Sequence, residues 1–126
     1  MTQQQRTPLT RHRARVDAGV EYRPFPNDMG RNSRQRHLEI PLFTRLLSIP
    51  RGARILEVGC GRGVALPVMY ELLQPARLVG LDIDAVLLAE AAETVARLEV
   101  ELVCADVREL PFADASFDVV IDFGTC

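Results

Sequence analysis

The chain has 126 residues and a formal net charge of −2, which fits one domain of modest size. Hydrophobic residues make up 48% and charged residues 25%, as in an ordinary globular protein, and no apolar run approaches the roughly 18 residues of a membrane span. Three widely spaced cysteines (Cys60, Cys104, Cys126) with no C-x-x-C pair argue against a disulfide framework and against a zinc or other metal site.

The cysteines read instead as reduced thiols acting as small hydrophobes. The first thirty residues are polar and arginine-rich, with no apolar stretch resembling a secretory signal, so a cytoplasmic location is expected. Charge is uneven. Residues 1–54 carry eleven arginines against four acids, hence +7, and residues 55–126 carry four arginines against thirteen acids, hence −9. The basic arginines are scattered and aromatics are scarce, which favours a solvated or internally paired arm over a nucleic-acid surface.

Residues 1–31 lack hydrophobic periodicity and hold Pro8, Pro24, Pro26 and Gly30, so they read as a flexible or lid-like arm. The folded domain is expected over 32–126. From residue 32 to 48, Leu38, Leu42, Phe43, Leu46 and Leu47 recur on what reads as one helical face. Pro41 either opens that helix or follows a kinked turn. A first strand is expected over 53–59 and a helix over 64–73, with Pro67 near its first turn. A second strand follows over 77–82, then a helix from the N-cap Asp84 to about Leu98. A third strand is expected over 99–105, one helical turn over 107–110, and a fourth, very apolar strand over 117–123. Strands alternating with helices or short connections give an α/β fold with a Rossmann-like parallel sheet and right-handed crossovers.

Ligands bind such sheets at the carboxyl ends of the strands. Those ends carry the chemistry here. The first strand runs into Glu57-Val58-Gly59-Cys60-Gly61-Arg62-Gly63, the second ends on Asp82, the third is followed by Asp106, and the fourth ends on Asp122. A glycine-rich turn between a strand and a helix N-terminus is a cradle for the polar part of a ligand. A dinucleotide fingerprint would place a glycine where Val64 stands, and a P-loop would continue as G-K-[ST]. Glu57 lies two residues before the first glycine, where a carboxylate suits a ligand bearing an amino group better than a pyrophosphate. Plainer roles stay open at each position: tight strand–helix packing for the glycines, a helix cap for Asp82, a turn acid for Asp106.

The stretch 57–63 resembles the first motif of class I S-adenosylmethionine-dependent methyltransferases. Asp82 after Leu78-Val79-Gly80-Leu81 resembles their second motif. Ala105-Asp106-Val107 with Leu110-Pro111-Phe112, then Ser116-Phe117-Asp118-Val119-Val120, resemble the third and fourth regions. The wording is most similar to the small-molecule branch that includes the ubiquinone and menaquinone methyltransferases. The resemblance implies S-adenosylmethionine as cofactor and a small-molecule methyl acceptor. It implies that Gly59, Cys60, Gly61 and Gly63 cradle the methionine part and that Glu57 orients its ammonium. Asp82 would accept from both ribose hydroxyls, Ile83 would pack on adenine, and Asp106 and the Val107 N–H would meet its edge. Asp122 and Phe123 would lie beneath the reactive methyl. No general base is identified.

Chains with this resemblance continue to a seven-stranded sheet, so the sequence is expected to be the N-terminal half of such a fold, truncated or split after the fourth strand. A fourth strand with an unpaired flank invites a homodimer or completion by a partner chain. A nicotinamide oxidoreductase domain is the alternative class, disfavoured by Val64 and Glu57.

Overall fold

The computed structural model describes residues 29–123. The expected arm lies outside the described residues up to position 28, as do residues 124–126. Four parallel strands form the sheet: β1 (Arg54–Val58), β2 (Arg77–Asp82), β3 (Glu101–Cys104) and β4 (Val119–Asp122), in the spatial order β3-β2-β1-β4. The helices are α1 (Met29–Arg34) and α2 (Ile40–Leu46), joined by a π turn (Gln35–Glu39), then α3 (Ala65–Leu73) and α4 (Ala85–Thr94).

The strand order creates the site. The chain passes from β1 to β2 to β3 in one direction, then returns across the sheet to place β4 on the other side of β1. The direction of winding therefore reverses between β1 and β4, and crevices at such switch points are where open α/β sheets take ligands. Registers align the strand ends. Val58 pairs with Leu81 and with Asp122, and Asp82 pairs with Cys104.

Side-chain alternation along β1 and β2 supplies two cores. Ile55 and Leu78 join Ile40, Leu66, Met69, Leu73 and Leu88 beneath the helices. Leu56, Val58, Val79 and Leu81 form the second core on the opposite face, covered by Phe112 and Phe117, whose rings meet edge to face at 4.9 Å. The covering element on that face is the connection 105–118. The helical turn expected over 107–110 is a non-helical turn, because Asp106 takes the backbone into its own hydrogen bonds: its carbonyl accepts from Glu109 N–H and its carboxylate from Arg108 N–H.

Most elements fall where the sequence predicts, with shorter ends. Asp84 caps α4, its carboxylate accepting from the Val86 and Leu87 N–H groups at 2.8 and 3.2 Å. α4 stops at Thr94 rather than near Leu98, because Val95 leaves helical geometry and its side chain enters the core. Pro67 is tolerated as the third residue of α3, where its missing N–H would have had no intrahelical partner. β4 begins at Val119, two residues later than expected. Before it, the Asp118 carboxylate accepts from the Arg54 backbone and guanidinium at 2.8–3.1 Å, which pins the amino ends of β1 and β4 together. Hydrogen bonds from Arg54 hold that carboxyl down at about 2.

The N-terminal helix departs from its expected orientation. Pro41 sits in the first turn of α2, directly after a widened turn. The Ile40 N–H reaches back five residues to the Gln35 carbonyl, and this wide turn precedes the proline. Gln35 and Ile40 face the core, whereas Leu38, Leu42, Phe43, Leu46 and Leu47, expected on one buried face, are all exposed. Gln35 Nε2 donates to the Phe123 carbonyl at 3.2 Å, and the Phe43 and Phe123 rings meet edge to face at 5.7 Å. The helix is thereby fastened to the end of β4.

Candidate functional site

The turn after β1 is held by backbone bonds on its inner side. Cys60 N–H donates to Leu81 O at 3.0 Å, tying the turn to β2, and Gly63 N–H donates to Cys60 O at 2.9 Å. Gly59, Gly61 and Gly63 all take positive φ (67°, 53° and 77°), the region L side chains rarely adopt. Their surroundings differ. A Cβ on Gly63 would sit 3.0 Å from Ala91 Cβ, so this glycine lets the turn press against α4. A Cβ on Gly61 would meet nothing within 4 Å, so this glycine faces open space. Tight packing therefore explains Gly63, and an open approach to the turn is left at Gly61.

Asp82, at the end of β2, is buried and joins two loops. Its Oδ2 accepts from Gly61 N–H at 2.8 Å and its Oδ1 from Asp84 N–H at 2.9 Å. Capping of α4 belongs to Asp84, so a cap role does not account for Asp82. Each carboxylate oxygen can accept more than one bond, so capacity remains for an incoming donor.

Glu57 is only 3% exposed, and its Oε2 is buried with no hydrogen-bond partner among the described residues. Its neighbours across the sheet are Gly80, which has no side chain, and Ile121. Burial first, then the charges of Asp82 and Asp122, push its carboxyl up to about 8. A buried acceptor without a donor is costly, on the order of 1–3 kcal/mol, so it marks a place where a donor is missing. Cys60 is buried in the helix-side core, and burial together with Glu57 and Asp82 pushes its thiol far above the usual range. It remains a protonated wall of the turn, with no nucleophilic character.

The β3 side is built differently. Asp106 is buried at the end of β3, but Arg108 covers it. The carboxylate accepts from Arg108 N–H at 2.9 Å and from the guanidinium Nε and Nη2 at 2.6–3.1 Å. Those hydrogen bonds hold the carboxyl below its ordinary range. Ile83 and Val107, following β2 and β3, are both exposed apolar side chains at this edge. Asp122 is exposed at the end of β4, while Phe123 is drawn toward the N-terminal helix.

Glu57, Asp82 and Asp122 thus meet at one edge beside the glycine turn, with Asp106, Ile83 and Val107 along it. Sequence reasoning missed Arg108 as the partner of Asp106, although an acid and an arginine two residues apart in a turn could have suggested it. It also missed Gly80, where a Cβ would lie 2.9 Å from Leu66 and 3.0 Å from Cys60 Sγ. Buried Gln35 carried no signal in the sequence.

The methyltransferase domain family matches residues 55–126, and the chain belongs to that family. Its class is that of the S-adenosylmethionine-dependent methyltransferases, and its sheet is the Rossmann-like one of that class. The chain is 36% identical over 90 residues to a malonyl-[acyl-carrier protein] O-methyltransferase of Legionella pneumophila, covering 68% of this chain and 31% of the relative. It is 39% identical over 75 residues to a phosphatidylethanolamine N-methyltransferase of Cereibacter sphaeroides, covering 56% and 36%. A solved S-adenosylmethionine-dependent methyltransferase from Mesorhizobium loti superposes with a TM-score of 0.57 at 27% identity, over 65% of this chain and 37% of that one. The matched stretch is about a third of the length of these relatives.

The residues present fit S-adenosylmethionine. Glu57 Oε2 lacks a donor that an ammonium would supply, the turn is open at Gly61, and Asp82 retains acceptor capacity.

Proposed function

We propose that the chain binds S-adenosylmethionine at the carboxyl ends of β1, β2 and β3 and serves methyl transfer to a small-molecule acceptor. The observation that carries this reading is the buried, unpartnered Glu57 Oε2 beside the open glycine turn. In it, Glu57 accepts from the cofactor's ammonium and Asp82 from the ribose hydroxyls. Ile83 packs on adenine, and Asp106 with the Val107 N–H reads its edge once Arg108 lets go. S-adenosylmethionine, when bound, would supply a methyl group activated by its sulfonium, with a neutral thioether as the leaving group. The protein's work is to align the two reactants and keep water out.

The relatives named above methylate oxygen in one case and nitrogen in the other, so the acceptor atom does not follow from family membership. Among the described residues no helix is long and apolar enough to cross a membrane. We place the protein in the cytoplasm. A thermal-shift series tests the cofactor reading: S-adenosylhomocysteine should raise the melting temperature and NADH should not. Equal stabilisation by NADH would favour the nicotinamide alternative.

A second reading concerns completeness. β4 lies at the edge of the described sheet, and Val120 on it is exposed. A second copy or a partner chain pairing there would bury that edge. Sedimentation with and without S-adenosylhomocysteine tests it, and a monomer in both conditions would contradict a homodimer.

A further inference from the structure

Three carboxyl groups meet at the ends of three adjacent strands, and the central one is the most buried. The charges of Asp82 on β2 and Asp122 on β4 both act on Glu57, and Glu57 in turn acts on the Cys60 thiol of the glycine turn. Asp82 spends its oxygens on two backbone N–H groups, Gly61 N–H and Asp84 N–H. Glu57 Oε2 accepts from nothing among the described residues. Where carboxyl groups act on one another, the proton settles on the one with the least compensation. By partners and by burial, that group is Glu57.

We propose that Glu57 is a proton switch for the cofactor site: neutral in the ligand-free chain, it gives up its proton when the ligand's ammonium arrives. The inference rests on the cofactor reading above and extends it. The proton balance is simple. In the free protein one proton sits on the Glu57 carboxyl. On binding, the ammonium supplies the positive charge that offsets the carboxylate, and the Glu57 proton leaves to solvent. Because burial and the two neighbouring acids hold the free carboxyl up at about 8, the exchange falls in the neutral range. It would make cofactor affinity rise with pH in the range where most carboxylate sites are indifferent. It would also make the site select cationic amino-acid ligands over neutral nucleosides of similar shape.

The test is calorimetric titration of the full chain with S-adenosylhomocysteine at pH 6.5, repeated in buffers of different ionisation enthalpy to count protons. At that pH an α-amino group, whose ordinary pKa is about 7.7–8.0, is protonated when free and when bound, so it does not confuse the count. About one proton should be released per ligand, and Kd should fall about tenfold per pH unit between pH 6 and 7.5. 5′-Methylthioadenosine, which lacks the amino-acid moiety, should bind with no proton release. Glu57→Gln should bind S-adenosylhomocysteine with no release and a flat pH profile, and the wild-type count stands even if that variant folds poorly. Binding of S-adenosylhomocysteine with no proton release and constant Kd would overturn the switch while leaving the cofactor reading intact. Absence of binding from pH 6 to 9 would overturn the cofactor reading itself, and the switch with it.

Discussion

Asp82, the last residue of β2, and Asp106, two residues past the end of β3, are treated in opposite ways. Asp82 is bound by backbone N–H groups of two loops, so its orientation is fixed before any ligand arrives. Asp106 is gripped by the guanidinium of Arg108, an exposed side chain that must swing away before a ligand can use the same oxygens. One half of the site is preorganised, and the other exchanges partners. Preorganisation lowers the ordering cost of binding, whereas exchange subtracts the broken ion pair from what the new bond returns.

The sharpest way to break this contrast is Asp82→Ala. It removes the acceptor for Gly61 N–H and for Asp84 N–H together. Charge-assisted bonds of this kind contribute about 1.5–3 kcal/mol each, so affinity for S-adenosylhomocysteine should drop at least ~100-fold and the melting temperature should also fall. Unchanged affinity would contradict the assignment of Asp82.

Glu57→Gln comes next, read as stability against pH. The carboxyl titrates near 8 in the folded chain and near 4.5 ordinarily, so only the folded state keeps the proton between those values. Its contribution is then complete below about pH 4.5 and is lost as pH rises to 8. The wild type should lose stability across that window and Glu57→Gln should not. A gap of roughly 5–10 °C in melting temperature should open between them by pH 8.

The two glycines offer an internal control. Gly63→Ala places a methyl against Ala91 and should cost about 2–4 kcal/mol, left-handed strain plus overpacking. Gly61→Ala adds strain of about 1–2 kcal/mol in open space, so it should lower ligand affinity more than it lowers stability. Denaturant midpoints and titrations on both variants check the ranking. The smallest effect is expected from Arg108→Ala. Freed of its clamp, Asp106 should bind an adenosine ligand about two- to fivefold more tightly, and added salt should shrink the difference, since exposed ion pairs contribute little.

The same contrast explains what was legible in the sequence. Strands buried on both faces leave continuous apolar runs, and an acid or a glycine turn at the end of each run marks where the sheet stops. Glu57, the glycines, Asp82 and Asp106 were found that way, and the structure brings them to one edge. The Asp84 cap was legible because its hydrogen bonds are local. Features that depend on distant packing were not. The apolar residues of the N-terminal helix gave the wrong buried face, since all five are exposed and the core takes Gln35 and Ile40 instead. Phe112 and Phe117 cover a sheet face from within a connection that has no periodicity to read. The Asp106–Arg108 spacing is the one local sign of that clamp, and it does not by itself say that the arginine takes both oxygens.

The central claim is that the strand ends around Glu57 and Asp82 take S-adenosylmethionine. Calorimetric titration of wild type and Asp82→Ala with S-adenosylhomocysteine under one condition tests it most directly. The account predicts a saturable one-to-one isotherm for the wild type and none at the same concentrations for Asp82→Ala. No saturable binding by the folded wild type, or equal binding by both proteins, would contradict it.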